Sequence, residues 1–583
     1  MPEASYDSSD QLLTEARSLL ALPAASIESK LERLRLCYRS TPFLFTREIL
    51  ELLRQAAEQV KQARTEQLDA RALTALKVVF GYPTFRAGQL ELIRAVMAGR
   101  DCLGVMPTGA GKSVTYQIPA RLKGGVTLVV SPLISLMKDQ VDAMNEVGIR
   151  ATFLNSSLDT TERERRVARL RGGEFEILYA APEGIDASVG RLVESLNLSL
   201  VAVDEAHCIS EWGHDFRPSY RNLAGLKQRF RGIPILALTA TATLRVRSDI
   251  IEQLALQDPL DVRGSFFRPN LHLYAVKKGQ GDSVRDMLVR VVRARRDESG
   301  IIYCLSRKAA EATAEFLEGK GIRAAAYHAG LTPEQRAQTQ DKFNRDDLDV
   351  VCATIAFGMG IDKSNVRFVI HRDMPRSIEG YYQEIGRAGR DGAAADCILF
   401  YSWADVISLD RLIESTDVQD RTVADQQRWA VRSMFGLADS RVCLWRRIAN
   451  HFAEDIAACG ESCGSCLKIN IVDDARPKSR GLGALSRPRK VFEQAIYQSA
   501  RNVSEQSEAS PDPELFERLR ALRKRLADER KVPAFVVFSD KSLQDMAVRR
   551  PRTRGEFLDV QGVGQKKLEE YGDPFLAEIL QQG

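Results

Sequence analysis

One stretch of eight residues has the composition of a phosphate-binding loop: Met106-Pro107-Thr108-Gly109-Ala110-Gly111-Lys112-Ser113. It follows an apolar run, Cys102–Val105, that predicts a buried strand, and a helical pattern follows it. The glycines let backbone N–H groups turn toward phosphate oxygens, and the N-terminus of the next helix adds to the positive field. Lys112 can reach the β- and γ-phosphates of a nucleotide, and the Ser113 hydroxyl can bind Mg²⁺.

The stretch departs from the usual pattern at one position. Met106 stands where the first glycine of G-x-x-x-x-G-K-[ST] is expected. The alternative interpretation is a glycine-rich turn that carries a surface lysine and binds nothing. The remaining motifs decide between the two, because a phosphate loop that hydrolyses a nucleotide also needs carboxylates for Mg²⁺ and for the attacking water.

A pair of carboxylates follows another predicted strand. Asp204-Glu205-Ala206-His207 comes directly after the apolar run Leu200–Val203. Asp204 can hold Mg²⁺ through water, and Glu205 can orient and deprotonate the attacking water. An acidic loop with no catalytic role is the alternative, and the phosphate loop upstream argues against it.

Aromatic residues are concentrated in the segment that follows. Three of them have helical spacing, i, i+4 and i+8: Trp212, Phe216 and Tyr220. That spacing is also typical of a buried helix face, but Gly213 and Pro218 argue against one continuous helix. Aromatic rings interleaved with His214 and Arg217 suit stacking on single-stranded bases. The segment therefore predicts a site for single-stranded nucleic acid.

Two further groups of residues could do chemistry. Gln383–Gly392 contains Arg387 and Arg390, which are separated by small residues and can approach phosphate closely; a charged surface is the alternative. Four cysteines lie together near the C-terminal third: Cys443, Cys459, Cys463 and Cys466. Their spacing predicts one tetrahedral Zn²⁺ site, and four buried free thiols are the alternative. The other six cysteines are scattered, which indicates a reducing cytosol rather than a disulfide framework.

The elements that must position these groups alternate between strands and helices in two successive parts of the chain. The predicted strands are Cys102–Val105, Val126–Val130, Ile177–Ala180, Leu200–Val203 and Ile235–Leu238, then Ile301–Cys304, Ala324–Tyr327, Val350–Ala353 and Phe368–Ile370. Such alternation predicts parallel, doubly wound sheets, whose ligands bind at the carboxyl ends of the strands. Helical patterns precede and follow the two sheets.

Composition sets broad limits on the function. The chain has 583 residues, 44% hydrophobic and 28% charged, with a net charge of +5. These values are ordinary for a multi-domain globular protein, and the mildly basic balance is compatible with nucleic acid. The N-terminus is acidic and polar, so we expect no signal peptide, and no apolar run approaches the ~18 residues of a membrane span.

Taken in order, these motifs resemble those of the RecQ family of superfamily 2 DNA helicases over roughly residues 73–466 and the last seventy residues. In the family's adenine-reading motif, Gln89 would hydrogen-bond the adenine edge and Arg86 would pack near the base. The resemblance implies further nucleotide contacts from the phosphate loop and from motifs V and VI: Thr108, Gly109, Gly111, Asp362 and Gln383. In motif VI, Arg390 would contact the γ-phosphate as an arginine finger, with Arg387 supporting it.

The resemblance also predicts the domain order. We expect a helical N-terminal extension (1–70), two tandem RecA-like α/β domains with parallel sheets (71–272 and 273–412), a zinc-binding helical subdomain (413–470), a basic linker (471–510) and a helical HRDC-like domain (511–583). In the last domain, Lys566 and Lys567 would contact DNA. The linker is too short and too poorly patterned for the winged-helix domain usual in the family, so that domain is predicted to be missing.

The implied function is an ATP-dependent 3′→5′ DNA helicase of DNA repair, recombination or replication that uses ATP, Mg²⁺ and Zn²⁺. An RNA remodeller and a strand-annealing protein with an inactive ATPase are the alternatives; the HRDC-like tail argues against the first, and the complete set of catalytic residues argues against the second. We expect single-stranded and tailed duplex DNA as partners, with single-strand binding protein as a further partner. A monomer in a bacterial-type cytoplasm, associated with the nucleoid, is favoured.

Overall fold

The computed structural model describes residues 8–132, 134–186, 188–212, 215–296, 298–358, 363–415, 421–474, 512–530 and 532–581. The chain divides into two compact units, residues 1–75 and 76–583, which are described separately. Most of the predicted linker, residues 475–510, lies outside the described residues, and so do His214 and Asp362. The predicted absence of a winged helix falls in that same linker and stays a prediction.

Within its described residues, the first unit contains three α-helices: α1 (Ser9–Leu19), α2 (Ala24–Ser40) and α3 (Arg47–Ala75). The Ser8 hydroxyl caps α1 by accepting a hydrogen bond from the backbone N–H of Gln11. Leucine and isoleucine side chains at helical spacing form the core between the helices. Helix α3 continues through residue 70, so the predicted boundary between residues 70 and 71 lies inside this helix.

The first sheet of the second unit contains, within the described residues, seven strands: β1 (Cys102–Val105), β2 (Val126–Val130), β3 (Ala151–Leu154), β4 (Ile177–Ala180), β5 (Leu198–Val203), β6 (Ile235–Thr239) and β7 (Leu260–Arg263). Their order is β3-β4-β2-β5-β6-β1-β7, and the pairings are parallel. The helices are α4 (Gln89–Met97), α5 (Val114–Lys123), α6 (Ile134–Glu146), α7 (Thr160–Arg171), α8 (Pro182–Asp186), α9 (Ser188–Glu194), α10 (Leu226–Arg229) and α11 (Leu244–Gln253). Residues 76–263 are called the first lobe below.

The second sheet has six described strands: β8 (Leu271–Lys277), β9 (Ser299–Tyr303), β10 (Ala324–Tyr327), β11 (Val350–Ala353), β12 (Val366–His371) and β13 (Ala395–Tyr401). Their order is β10-β11-β9-β12-β13-β8, again with parallel pairings. The helices are α12 (Val284–Arg293), α13 (Arg307–Glu318), α14 (Pro333–Asn344) and α15 (Ile378–Ile385). Residues 271–401 are called the second lobe.

Both predicted parallel sheets are confirmed, and four strands were missed: β3, β7, β8 and β13. Three of the four lie at sheet edges, where a strand needs less apolar sequence because it has a neighbour on one side only. The central strands are nearly continuous runs of buried valine, isoleucine and leucine, as expected for a sheet covered on both faces. The fourth missed strand, β13, lies inside its sheet with all seven residues buried, so neither an edge position nor shallow burial explains that omission.

Helices complete the second unit. After the second lobe come α16 (Trp403–Ser415), α17 (Arg421–Ala438), α18 (Leu444–His451), α19 (Gly464–Leu467) and α20 (Ile471–Asp474). The C-terminal part contains α21 (Pro513–Arg530), α22 (Ala534–Val537), α23 (Asp540–Arg549), α24 (Arg554–Leu558) and α25 (Gln565–Leu580) around its own core, which includes Phe538, Phe557 and Phe575. Among the described helices, none is long and apolar enough to cross a membrane.

Candidate active site

The phosphate loop joins the end of β1 to the start of α5. Gly109 and Gly111 have φ values of +81° and +80°, in the left-handed region that favours glycine. Ser113 is the N-cap residue of α5, and its hydroxyl makes no capping hydrogen bond. That hydroxyl is therefore available to a metal ion, and the N-terminus of α5 faces the loop.

The predicted adenine-reading residues brace this loop. Gln89 Nε2 donates hydrogen bonds to the carbonyl oxygens of Ala110 and Gly111, at 3.1 and 2.9 Å. Gln89 Oε1 accepts from the backbone N–H of Arg86 at 2.8 Å, and the Arg86 guanidinium donates to the Gly109 carbonyl. Both amide hydrogens of Gln89 thus go to protein carbonyls, a bracing role that the sequence did not reveal.

The carboxylate pair follows β5, on the same edge of the sheet as the phosphate loop. Burial and the neighbouring charge of Glu205 raise the pKa of Asp204 to about 6, and the charge of Lys112 opposes that shift. Glu205 has a φ of +48°, which is uncommon for a residue other than glycine. Its Oε2 atom is buried and makes no hydrogen bond within the described part of the chain. A buried carboxylate oxygen without a donor is suited to accept a proton from water.

A chain of contacts leads from these carboxylates to the second lobe. His207 Nδ1 lies 2.9 Å from Thr239 Oγ1, at the end of β6, and 3.4 Å from Glu205 Oε2. Two residues further on, Thr241 Oγ1 accepts a hydrogen bond from Gln383 Nε2 at 3.2 Å. Gln383 belongs to α15 of the second lobe, so polar contacts connect the two sheets next to the carboxylate pair.

Arg390 follows α15 and lies beside the phosphate loop. A Cβ atom built on Gly109 would lie 3.6 Å from the Cα of Arg390, and one on Gly386 would lie 2.9 Å from Thr108 Cβ. The structure thus brings together the phosphate loop and an arginine that sequence spacing alone left far apart.

Arg387 points to another part of the second lobe. It is buried, and its Nε atom has no hydrogen-bond partner among the described residues. A Cβ atom built on Gly358 would lie 3.2 Å from Arg387 Nη2. Within the described part of the chain, no contact places Arg387 against the phosphate loop.

The described residues of the aromatic segment form no α-helix. Two 3₁₀ turns, Ala206–Ile209 and Pro218–Leu223, are present, and of the three aromatic residues only Tyr220, in the second turn, belongs to the core. Tyr220 donates a hydrogen bond from its hydroxyl to the Asp204 carbonyl at 2.8 Å. The Trp212 side chain is 41% exposed, and the Arg245 guanidinium lies over its ring at 3.1 Å from the centroid. The buried-helix alternative does not hold for Trp212.

The basic member of the segment has protein partners. Arg217 forms an ion pair with Asp215 at 3.2 Å and donates to the Pro132 carbonyl at 3.1 Å. The cation that contacts the exposed tryptophan is Arg245, at the N-terminus of α11, which sequence analysis did not single out. The sequence contains no clear indication of a role for Arg245, because a single arginine in the first turn of a helix is common.

The four cysteines converge on one point. Their Sγ atoms all lie within 4.8 Å of one another, which suits four thiolates around one tetrahedral Zn²⁺. Cys443 is the N-cap of α18, and Cys463 is the N-cap of α19. Trp445 Nε1 donates to the carbonyls of Leu271 and Ser462, both at 3.1 Å, so the cysteine cluster is anchored to β8.

The C-terminal helices lie against both lobes. The backbone N–H of Gly562 donates to the Gly81 carbonyl at 3.0 Å, and Lys566 Nζ donates to the Asn145 carbonyl at 2.7 Å. Toward the second lobe, Asp540 pairs with Arg367 at 3.0 Å. The predicted DNA contact Lys566 thus has a protein partner in this arrangement.

The second predicted lysine of these helices is half-buried. Burial lowers the pKa of Lys567 to about 8, and the charge of Glu146 opposes that shift. Its Nζ atom lies 5.5 Å from the centre of the Phe538 ring. The ammonium group of this predicted DNA contact thus lies beside an aromatic ring of the protein.

Family models match three parts of the chain. Residues 86–250 match the DEAD/DEAH box helicase family, residues 283–392 match the helicase conserved C-terminal domain, and residues 512–579 match the HRDC domain. The first two matches cover the two lobes, and the third covers the C-terminal helices.

Curated relatives match nearly the whole chain. The ATP-dependent DNA helicase RecQ of Pasteurella multocida is 40% identical over 88% of this chain and 94% of its own length. The enzyme of the same name from Bacillus subtilis is 38% identical over 87% of this chain and 98% of its own. Among solved structures, the DNA-bound helicase MrfA is 18% identical with a TM-score of 0.47 over 58% of this chain and 51% of its own, a likeness too distant to carry an argument.

Proposed function

The chain belongs to the RecQ family of ATP-dependent DNA helicases, and on that premise we propose which of its residues perform each step. The protein hydrolyses ATP and acts on DNA. The proposal concerns the roles of individual residues, the metal ions, the direction of movement and the partners. The observation that supports it best is the contact between the phosphate loop of the first lobe and motif VI of the second.

In the proposed ATP site, Lys112 binds the β- and γ-phosphates, and the backbone of Thr108, Gly109 and Gly111 wraps around them. Ser113 and Asp204 would hold Mg²⁺, which neutralises phosphate charge when bound. The Ser113 hydroxyl, which makes no helix-capping hydrogen bond, and the buried Asp204 carboxylate fit that ion. Glu205 orients the attacking water and accepts its proton through Oε2, which makes no hydrogen bond within the described residues and lies 3.4 Å from His207 Nδ1.

The second lobe supplies the remaining positive charge. Arg390 contacts the γ-phosphate as an arginine finger, and Arg387 supports it. Gln89 and Arg86 would read the adenine, for which the Gln89 amide must give up its hydrogen bonds to the Ala110 and Gly111 carbonyls. Asp362 and Gln383 would contribute contacts from motifs V and VI. The hydrogen bond between Gln383 and Thr241 offers a route by which hydrolysis changes the spacing of the two lobes.

We further propose that the aromatic segment couples this cycle to DNA. Trp212 and Phe216 would stack on bases of a single strand, assisted by His214 and Arg217, and movement would proceed 3′→5′ as the family implies. The exposed ring of Trp212 supports this role, because a large exposed aromatic side chain is available to a ligand.

A structural Zn²⁺ at the four cysteines would hold the helices after the second lobe against β8. We place the protein in a bacterial-type cytoplasm near the nucleoid, in DNA repair, recombination or replication, as a monomer that works with single-strand binding protein. Single-stranded and tailed duplex DNA are the proposed substrates, with Lys566 and Lys567 of the C-terminal helices as auxiliary contacts.

The decisive experiment is the ATPase rate of the whole chain with Mg²⁺ and single-stranded DNA, with single-stranded RNA, or with no nucleic acid. We expect strong stimulation by DNA and little by RNA. Equal stimulation by both would favour an RNA remodeller, and no hydrolysis under any condition would favour an annealing protein. Unwinding of duplexes with either a 3′ or a 5′ tail then tests the direction of movement.

A further inference from the structure

The segment between the two lobes, residues 264–270, carries an arginine that contacts both of them. The Arg268 guanidinium donates four hydrogen bonds to backbone carbonyl oxygens. They go to Thr108 at 2.9 Å, Gly386 at 3.2 Å, Ala388 at 3.2 Å and Gly389 at 2.8 Å. Thr108 lies in the phosphate loop, and the other three carbonyls lie in motif VI. One side chain therefore joins the loops that the proposed mechanism brings together.

These contacts are unusual for an arginine because none of the four partners is charged. Burial is the main cause that lowers the pKa of Arg268, and the positive charges of Arg390 and Arg86 lower it further. No ion pair of Arg268 occurs among the described residues. A charge placed beside other cations and away from carboxylates must be compensated by the carbonyl dipoles, so this arrangement depends on four well-placed oxygens.

We propose that Arg268 is a positioning residue of the ATPase: it sets the distance between the phosphate loop and motif VI at which Arg390 faces the γ-phosphate. This inference rests on the proposed roles of Lys112 and Arg390. The geometry favours it because Arg268 contacts the phosphate loop through the Thr108 carbonyl oxygen and so occupies none of the N–H groups that could bind phosphate.

The hydrogen bond to Thr108 has a second consequence. The Thr108 carbonyl belongs to the same peptide group as the N–H of Gly109. A cation bound to the carbonyl oxygen polarises that peptide, which makes the N–H a stronger donor to phosphate. Arg268 therefore acts on the phosphate loop in two ways: it sets the distance from the loop to motif VI, and it polarises the peptide group between Thr108 and Gly109.

A neighbouring side chain provides an internal comparison. Asn270 Nδ2 donates to the carbonyls of Gly389 and Ala393, both at 3.0 Å, so it contacts motif VI but not the phosphate loop. If bridging matters, removal of Arg268 must cost more turnover than removal of Asn270. If support of motif VI alone matters, the two changes should have similar effects.

The test uses the full chain with Arg268→Ala, Arg268→Lys, Asn270→Ala and, as a matched control, Arg263→Ala, an exposed arginine at the end of β7. The measurements are kcat and KM for ATP with saturating single-stranded DNA, binding of a fluorescent ATP analogue, and thermal unfolding. The wild-type chain reports on the proposed function itself, and each variant is compared with it.

We expect Arg268→Ala to lower kcat on the order of 10²-fold, because a small displacement of a catalytic group has that effect. The KM should change less than threefold. Arg268→Lys should recover part of the rate, since an ammonium group reaches fewer carbonyls than a planar guanidinium. Millimolar guanidinium ion should raise the rate of Arg268→Ala and leave that of Arg263→Ala unchanged.

Three results would overturn the proposal. One is a kcat for Arg268→Ala within twofold of the wild-type value. Another is an effect confined to KM, which would make Arg268 a simple binding residue. The third is an equal loss in Arg268→Ala and Asn270→Ala without rescue by guanidinium. If Arg268→Ala does not fold, the kcat-to-KM comparison of Arg268→Lys decides between the same outcomes.

Discussion

Sequence analysis predicted a ligand for two regions: ATP for the cleft that separates the two lobes, and DNA for the C-terminal helices. The predicted residues have different surroundings in the two regions. In the cleft, Lys112 lies near Asp204, and Arg390 lies beside the phosphate loop. In the C-terminal helices, Lys566 donates to a carbonyl of the first lobe. Both regions combine glycine with lysine, so residue type alone does not separate a phosphate site from a docking surface.

The two regions differ in what determines the conformation of their glycine-containing loops. In the cleft, the loops follow parallel strands, and their carboxyl ends must meet at one edge of a sheet. The Gly562–Gly564 turn has no such constraint. A Cβ atom on Gly564 would lie 2.7 Å from the Val79 carbonyl oxygen, so a close backbone approach, and not a phosphate, requires glycine at this position.

The sharpest way to test the cleft is to remove its charges. Arg390→Ala should lower DNA-stimulated turnover ~10³-fold with nearly unchanged nucleotide binding, because an arginine finger acts mainly in the transition state. Lys112→Ala should weaken both binding and turnover. Steady-state ATPase rates and titration with a fluorescent ATP analogue measure the two effects, with Lys308→Ala, an exposed lysine of α13, as control. Normal ATP hydrolysis by Arg390→Ala would contradict the proposal that the second lobe contributes to the ATP site.

Metal removal tests the cysteine cluster, whose residues the spacing in the sequence already grouped together. Strong chelation, or Cys463→Ser, should destabilise the helices that follow the second lobe, because a structural Zn²⁺ site contributes to folding free energy. We expect a loss of several kcal/mol, visible as a lower melting temperature. Cys352→Ser, at a buried cysteine outside the cluster, is the control for loss of a thiol. Elemental analysis that finds no zinc in protein purified without chelator would contradict the site.

The aromatic segment is expected to show a smaller effect. Trp212→Ala should weaken single-stranded DNA binding by ~1–3 kcal/mol and uncouple hydrolysis from unwinding, because one stacking platform is lost. Fluorescence anisotropy with labelled DNA measures the affinity. Trp403→Ala removes another exposed tryptophan, 52% accessible, and should have little effect. Unfolding of Trp212→Ala would instead indicate a core role for the ring.

The sequence sufficed for most of the central strands, for the phosphate loop and for the cysteine cluster, because in each of these one local pattern specifies one geometry; β13 is the central strand that it missed. It did not suffice for Arg268, whose four partners lie in two distant loops. The same reason explains Arg245, whose contact with Trp212 depends on how α11 packs beside the aromatic segment. Contacts that exist only after two elements pack leave no periodicity or motif in either element.

The test on the C-terminal helices has the smallest expected effect, and it separates DNA binding from docking against the lobes. Lys566 contacts Asn145 of the first lobe there, and Lys524 pairs with Asp347 of the second at 3.3 Å. If Lys566 also binds a phosphate of tailed DNA, it must leave the Asn145 carbonyl to do so. Lys566→Ala should then reduce the salt dependence of binding by about one unit of slope, as expected for one lost phosphate contact.

Lys524→Ala is the matched control, since it removes a docking contact without removing a predicted DNA contact. The affinity for tailed and blunt duplexes is titrated at several salt concentrations for both variants and for a chain that ends before residue 512. The truncation should lower affinity for tailed DNA more than it lowers the maximal ATPase rate. Equal slopes for Lys566→Ala and Lys524→Ala would mean that Lys566 serves docking alone, and tight binding of blunt duplex by the truncated chain would place duplex recognition elsewhere in the protein.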